Sequence, residues 1–366
     1  SSARRHSERH GHGNGIDIEH SSARSVGCAK TGIEISPENL KISDRATICM
    51  PYHRIQDCLE EDRLSDKKFG STRRGIAPVY ADKYMKKTIR MGDLRDIDGV
   101  ADHLRDIVEW KNLLIEGGYH HEPIDAEKML TWLRTYGKPL LPYICDTSEY
   151  LSKAADEGKK ILFEAQLGAL RDIDYGIYPY TSSSNSIAAF STIGAGIPQL
   201  HLDESIGVMK AYSTCVGEGP FVCELFGEEG EILRRAGNEY GAATGRPRRV
   251  GGFDVVASRY GARVQGATAI ALTKLDILSY FDKIPVCVAY EIDGKRVDTF
   301  PTGSALNNAK PVYEYFDGWK EDISDCRSFD ELPEAAKKYI DFIEARIGVQ
   351  IKYISVGAER DSIITR

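Results

Sequence analysis

No stretch of this 366-residue chain stays apolar for the ~20 residues that a membrane-spanning helix needs, and its first residues are polar rather than leader-like. A soluble, cytoplasmic protein that touches no membrane is the expectation. A basic excess is also missing. Lysine and arginine total 48 against 55 acidic residues, a net charge of -7, which argues against a general binder of nucleic acid or acidic membrane. Local cation clusters then read as sites for small anions. The eight cysteines include no C-x-x-C pair, so neither a zinc site nor a redox motif is indicated, and free thiols in a reducing compartment fit best. No G-x-x-x-x-G-K-[ST] phosphate loop occurs anywhere in the chain.

Residues 1–14 carry Arg4, Arg5, His6, Arg9, His10 and His12 with no apolar period, a pattern expected of a disordered basic tail. With no cysteine beside them, the three histidines indicate no metal site. From Gly32 onward the pattern becomes that of a mixed α/β protein. Two strands are expected at Leu40–Ser43 and Ala46–Met50, then a helix from Tyr52 to Leu59. The glycine- and proline-bearing stretch Lys67–Lys83 reads as a loop whose small residues and cations suit a phosphate. Helical spacing marks residues 98–117 and 125–137, with Asp125 as an N-cap, and a third helix follows over 146–158. These helices form an expected side lobe, about 98–158, of a single α/β domain spanning 15–366. Met129, Leu130 and Leu133 read as core.

The apolar run Ile161-Leu-Phe163 suits a buried strand, and in open α/β sheets the ligand crevice lies at such strand ends. Here the end would release Glu164, Gln166, Asp172 and Asp174, followed by the hydroxyl- and amide-rich run Thr181–Asn185. A second strand is expected over Ile206–Val216. The loop Gly241–Arg249 joins glycines, Thr244 and the forks of Arg246, Arg248 and Arg249, a pattern suited to carboxylate or phosphate. The competing reading has these arginines pairing with Glu239 or Asp254 on a surface. Asp254 should cap a helix, and Thr268–Leu272 should be a buried strand delivering Thr273-Lys-Leu-Asp276. A Lys-x-Asp set just beyond a strand is a common way to read guanine: the carboxylate accepts from the ring N–H and the exocyclic amine while the lysine stem covers the base. Further on, a hairpin should turn at Asp293-Gly294, Ser328–Glu331 offers a capping box, and a helix over 334–347 precedes a last strand at Ile351–Ile354.

Phe163-Glu164, Asp172-Ile-Asp174-Tyr-Gly176 and Tyr178–Asn185 closely resemble a signature block of adenylosuccinate synthetase, which makes adenylosuccinate from IMP, aspartate and GTP. The similarity runs from about Gly32 to the C-terminus. It implies a mostly parallel central sheet flanked by helices, with a helical lobe and a small antiparallel hairpin region. It also implies Mg2+ as cofactor and GTP as co-substrate, IMP and L-aspartate as substrates, and a homodimer with shared active sites. By position, the resemblance puts Thr72 and Ser182 on the IMP phosphate and Gln166 on IMP. Lys86 stands where the family has an arginine reaching in from the neighbouring subunit. Arg246 would bridge IMP and aspartate, Thr244 would hold the aspartate carboxylate, and Arg248 would lie near GTP. Lys274, Asp276, Ser355 and Gly357 would frame the guanine.

Some positions depart from the family pattern. Glu164-Ala-Gln-Leu-Gly168 replaces Glu-Gly-Ala-Gln-Gly, so the family glutamine falls on Leu167. Ala243 and Ser182 each replace a threonine, and Lys86 keeps charge but loses a bidentate fork. The family's N-terminal glycine-rich loop, with its aspartate base, lysine and magnesium contacts, and the histidine that follows it have no counterpart in these residues. Transfer of the GTP γ-phosphoryl to the purine O6 and removal of the N1 proton depend on those groups. Two other readings stay open: a non-catalytic or truncated nucleotide-binding relative, and a related GTP-dependent amino-acid ligase with altered substrate. A polypeptide of these 366 residues alone is expected to have severely reduced activity or none. Turnover at ordinary enzyme rates, assayed as adenylosuccinate formed from IMP, aspartate and GTP, would refute that.

Overall fold

The computed structural model describes residues 8–10, 15–21, 35–164, 167–241, 245 and 247–366, the first of these groups by backbone only. The chain divides into two compact units: residues 1–165, 182–185 and 189–201, and residues 166–181, 186–188 and 202–366.

In the first unit, strands β1 (Glu8–His10), β3 (Leu40–Ser43) and β5 (Ile144–Cys145) pair in parallel, as do β2 (Gly15–Ile16) and β4 (Thr47–Ile48). Helices α1 (Pro51–Leu64), α2 (Ile76–Met85), α3 (Ala101–Gly117), α4 (Ala126–Gly137), α5 (Thr147–Asp156) and α6 (Ala189–Ala195) complete it. The expected periods produced α1, α3, α4 and α5, whereas α2 and α6 were not expected as helices. Leu104, Ile107, Val108 and Ile115 form one face of α3 and pack with Leu130 and Leu133 of α4 and with Ile42, Ile48 and Met50. Burial of each such side chain is worth ~1.5–3 kcal/mol. Asp125 accepts the N–H of Glu127 and Lys128 at 2.9 and 3.2 Å, and Asp146 caps α5 the same way.

Within this unit lies a polar cluster that the sequence did not announce. Met50 donates its N–H to His53 Nδ1 (2.9 Å), so the imidazole proton sits on Nε2 and is given to Asp82 Oδ2 (2.9 Å). The other oxygen of Asp82 meets Lys111 Nζ at 2.8 Å, and Lys111 also donates to Gln56 Oε1 at 2.7 Å. His53, Asp82 and Lys111 are all buried. Burial lowers the imidazole pKa more than Asp82 raises it, so His53 stays neutral. The cluster ties α1, α2 and α3 together.

The second unit contains strands β6 (Ile206–Lys210), β7 (Ser213–Cys215), β8 (Arg249–Gly251), β9 (Phe253–Asp254), β10 (Ala269–Thr273), β11 (Lys283–Ile292), β12 (Lys295–Val297), β13 (Lys310–Asp317), β14 (Ile351–Ser355) and β15 (Ile363–Thr365). One sheet has the order β15-β14-β10-β6, with β6, β10 and β14 parallel and β15 antiparallel at the edge. A second is built on β11, antiparallel to β12 and β13 and parallel to β9, while β7 pairs antiparallel with β8. Asp293 and Gly294 both take positive φ at the β11–β12 turn, as an Asp-Gly hairpin requires. Helices α7 (Gly227–Ala236), α8 (Val255–Gln265), α9 (Ser304–Asn307) and α10 (Glu334–Ile347) pack around these sheets. Tyr339, Ile340, Ile343 and Ile347 of α10 meet Ile270, Leu272, Ile351 and Ile354 in one core. Asp254 caps α8 through the Ala257 N–H (2.9 Å) and accepts from Tyr290 Oη (2.7 Å). Its complete burial raises the carboxyl pKa to about 6, against which those hydrogen bonds work.

Four expectations need correction. Residues 161–163 form no strand: Leu162 is 91% exposed, while Ile161 and Phe163 pack on Leu151, Ala195 and Ile197. The alternation is that of an extended segment packed on one side, and no described strand supplies it with a ladder. The single strand expected over 206–216 breaks at Ala211-Tyr212 into β6 and β7. The loop expected over 67–83 turns helical at Ile76, where Pro78 is tolerated in the first turn. Ser328–Glu331 opens a short 3-10 turn in which Ser328 makes no side-chain cap. Of the tail, Glu8–His10 pairs with β3, and the remainder of 1–14 lies outside the described residues.

Replacing Asp82 by alanine should leave Lys111 charged and buried without its anion, a loss of ~3–5 kcal/mol. Urea denaturation of the variant checks this; an unchanged midpoint would show that the cluster carries no stability.

Candidate functional site

Strands β10 and β14 are parallel neighbours with Leu272 opposite Ile354, so their C-terminal ends release adjacent loops. Beyond β10, Lys274 takes a left-handed backbone (φ 60°), and the next residue, Leu275, donates its N–H to the Ser355 carbonyl at 3.3 Å. Asp276 opens a 3-10 turn and is half-buried, and burial raises its carboxyl pKa. Beyond β14, Ser355 Oγ donates to the Gly357 carbonyl at 2.8 Å. A Cβ on Gly357 would come within 3.0 Å of Ser362 Oγ, so the loop runs too close to its own return for a larger residue without displacement. The loops that carry Lys274 and Asp276 and Ser355 and Gly357 therefore leave neighbouring strand ends and are joined by the Leu275–Ser355 hydrogen bond.

The cations beside them share one counter-ion. Glu239 has no exposed surface. Its Oε1 accepts from Lys210 Nζ (2.8 Å), Tyr212 Oη (2.6 Å) and Lys274 Nζ (3.2 Å), and its Oε2 accepts from Arg248 Nη1 (2.7 Å). Lys274 also donates to the Gly237 carbonyl at 2.5 Å. Burial by itself would push the Glu239 carboxyl up, but hydrogen bonds from Lys210, Tyr212 and Arg248 outweigh it and bring the pKa down to about 2. Burial lowers the Lys210 ammonium pKa, with Glu239 opposing. Lys210, Arg248 and Lys274 thus all pair with the single carboxylate of Glu239. The Lys274 and Arg248 side chains keep 35% and 30% of their surface exposed, so their outer faces remain accessible to a ligand.

The surface pairing of Arg248 with Glu239 weighed above is thus half right. The pair exists, but Glu239 is internal and serves two lysines as well. Nothing local in Gly-Asn-Glu-Tyr-Gly signals this, because the burial of Glu239 depends on residues from β6, from the turn after β6 and from the loop after β10. The other partner proposed, Asp254, is occupied by α8 and Tyr290.

The first unit carries the remaining described candidates. Thr72 is exposed in the loop before α2, and Lys86 is exposed at the C-cap of α2 with φ 61°. Ser182 Oγ lies 3.1 Å from Ser184 Oγ, and Ser184 is hydrogen-bonded with Tyr80 of α2. Lys83, Lys87 and Arg90 flank Lys86 in the sequence, and Lys87 Nζ lies 4.2 Å from the Trp110 ring centroid. Gln166, Thr244 and Arg246 lie outside the described residues.

Asp172, expected at the crevice, is not free to bind a ligand. It is fully buried and accepts the N–H groups of Asp174 (2.9 Å), Tyr175 (3.1 Å) and Ser186 (2.6 Å), which makes it the organiser of its own loop. Glu164 and Asp174 are exposed. Among the described residues, no group of three His, Cys, Asp or Glu side chains is placed to hold a metal ion.

The depressed Glu239 pKa has a definite sign. A carboxyl held at about 2 when folded and at 4.5 otherwise stabilises the fold above pH 4.5, and that stability is lost as pH falls towards 2. At 1.36 kcal/mol per unit the contribution is about 3 kcal/mol. Glu239→Gln should remove it, so the stability difference between wild type and variant should narrow as pH drops from 4.5 to 2. A difference that is flat across that window, measured by urea denaturation, would contradict the assignment.

Comparison with known proteins extends these observations. The family model described as adenylosuccinate synthetase matches residues 5–364, which includes the stretch ahead of Gly32 where the resemblance had been placed to begin. A curated adenylosuccinate synthetase of Caldanaerobacter subterraneus subsp. tengcongensis is 45% identical over 355 residues, covering 96% of this chain and 83% of that protein. The solved structure of fully ligated adenylosuccinate synthetase from Plasmodium falciparum superposes with a TM-score of 0.90 at 33% identity, over 98% of this chain and 85% of that one. A cyanophage S-2L succinoaminodeoxyadenylate synthetase shares the fold at a TM-score of 0.57 and 15% identity, covering 98% and 76% of the two chains. The chain belongs to the adenylosuccinate synthetase family, ligases that form a C–N bond by joining aspartate to IMP in a GTP-dependent reaction.

Proposed function

We propose that this chain binds GTP, IMP and L-aspartate for that ligation, giving adenylosuccinate, GDP and phosphate, with the guanine held by Lys274, Asp276, Ser355 and Gly357. The main support is the joint release of the loops after β10 and β14 at neighbouring parallel strand ends, which sets a half-buried carboxylate beside a lysine whose ammonium is already fixed. The Asp276 carboxylate accepts from the guanine N1–H and exocyclic amine, two donors that adenine does not present together. The Lys274 stem covers the base. Arg248, braced by Glu239, directs its fork towards the phosphates.

On the IMP side, the Thr72 and Ser182 hydroxyls donate to the 5′-phosphate, and Lys86 reaches the site of a neighbouring protomer, so the working form is a homodimer. Gln166 on IMP, Thr244 on the aspartate carboxylate and Arg246 between the two substrates complete the set by position. Magnesium, if bound together with GTP, would supply charge neutralisation at the transferring phosphoryl group. No helix among the described residues is long and apolar enough to cross a membrane. The seven described cysteines are all free, which supports a cytoplasmic setting.

Asp276→Asn tests the guanine reading. It replaces one acceptor oxygen by a donor and should weaken GTP binding about 10- to 100-fold, one or two charge-assisted hydrogen bonds' worth, while improving binding of xanthosine triphosphate. GTP affinity that is unchanged in a titration would end the assignment. Because the Asp276 pKa is raised and only the ionised form accepts both hydrogens, GTP affinity should also fall with decreasing pH earlier than an ordinary aspartate would dictate.

A further inference from the structure

The loop that carries Thr72 is fastened to α1 by acidic side chains of that helix. Asp57 is buried and uses both oxygens: Oδ1 accepts from Ser71 Oγ at 2.8 Å, and Oδ2 accepts the Gly75 N–H at 2.8 Å. Glu61, also buried, accepts the Phe69 N–H at 3.2 Å through Oε1, and Asp62 Oδ1 meets Arg73 Nη2 at 2.6 Å. Ser71 Oγ in turn accepts the Arg73 N–H at 3.1 Å. The two Asp57 contacts thus bracket the exposed tip Thr72-Arg73-Arg74 from both sides.

The loop end is also pressed onto the helix backbone. Gly75 takes φ 80°, and a Cβ there would lie 2.8 Å from the His53 carbonyl carbon and 2.9 Å from the Arg54 nitrogen. Only glycine permits both the conformation and the approach. Gly75 is at the same time the N-cap of α2, the helix that ends at Lys86 and carries Tyr80 against Ser184. One carboxylate therefore sets where the Thr72 tip stands and where α2 begins.

We infer that Asp57 is a positioning residue for nucleoside monophosphate binding: its carboxylate brackets the Thr72 loop so that the threonine hydroxyl meets the phosphate without first being ordered. The inference rests on the reading of Thr72 as a phosphate contact. Ordering a loop at the moment of binding costs affinity, and bracketing it in advance removes that cost. An asparagine can reproduce much of the bracket, with its carbonyl on the Gly75 N–H and its amide on Ser71 Oγ, whereas alanine cannot.

The experiment is calorimetric titration of the folded chain with IMP and, separately, with GTP, for wild type, Thr72→Ala, Asp57→Ala, Asp57→Asn and Ser71→Ala. Asp57→Ala should weaken IMP binding about tenfold, comparable to losing one hydrogen bond, and leave GTP affinity within about twofold. Asp57→Asn should recover most of that loss, and Ser71→Ala should give a smaller one. Adding Asp57→Ala to Thr72→Ala should cost little more than Thr72→Ala alone, because a bracket with nothing to present has no effect. If Thr72→Ala itself leaves IMP affinity intact, the phosphate reading of Thr72 falls and the inference falls with it. If Thr72→Ala weakens IMP binding while Asp57→Ala and Ser71→Ala do not, or if the effects simply add, Thr72 keeps its role and the positioning role of Asp57 is wrong. Equal losses for IMP and GTP would mark a general folding defect and likewise overturn it. Should Asp57→Ala fail to fold, Ser71→Ala and Asp57→Asn decide the matter by the same comparison.

Discussion

Glu239 stays ionised with no exposed surface because Lys210, Lys274, Arg248 and Tyr212 all turn hydrogen-bond donors towards it. Desolvating so many charges is expensive, and an apolar replacement of similar volume is often as stable or more so. What an apolar residue does not provide is a common fixed point for three cations drawn from separate segments. Two of them, Lys274 and Arg248, belong to the proposed GTP site. Their long stems would otherwise sample many rotamers, and holding them in advance spares that entropy at binding. The proposed GTP site of the second unit is arranged from the inside outward.

The same device recurs in the first unit with different chemistry. Asp82 joins His53 and Lys111 across three helices, and Asp57 joins a helix to a loop. In each case a buried acid has both oxygens engaged, and an element bearing a candidate ligand depends on it. Helix α2 illustrates the point. Its start is fixed by Asp57 through Gly75, its middle by Asp82, and its end presents Lys86. A surface lysine is only as well placed as the helix beneath it.

How much of this was legible in the sequence depends on whether the signal is local. Helices α3, α4 and α10 were readable because their apolar faces repeat within one helical turn, and Asp125 and Asp254 because a cap acts over three residues. Lys274 and Asp276 were readable for the same reason, since a strand and a three-residue motif are contiguous. Ile161–Phe163 misled because a short apolar run shows neither which of its side chains turn inward nor whether a ladder partner exists, and Leu162 at its centre is exposed. Asp57, Asp82 and Glu239 were invisible as organisers. Asp82 finds its partners 29 residues away in either direction, and Glu239 finds Lys210 and Lys274 29 and 35 residues away. A buried acid looks like a surface acid until the chain folds. Asp172 failed in the opposite sense: the motif was recognisable, but its carboxylate supports the loop that presents the neighbouring groups.

Lys274 combines a local motif with a long-range restraint. A non-glycine residue in the left-handed region costs ~1–2 kcal/mol, and such residues persist where surrounding contacts over-determine them. The restraining contacts are the Gly237 carbonyl and Glu239, which draw the ammonium inward, and the Leu275 N–H on Ser355, which anchors the chain just beyond. With its ammonium held, the lysine cannot act as a free point charge towards a phosphate. What remains for a ligand is the flank of its methylene stem, a flat apolar surface beside a carboxylate that accepts two hydrogens. That combination favours the face and edge of a purine over an anion, which accords with the proposal that the base lies at this strand end and the phosphates nearer Arg248.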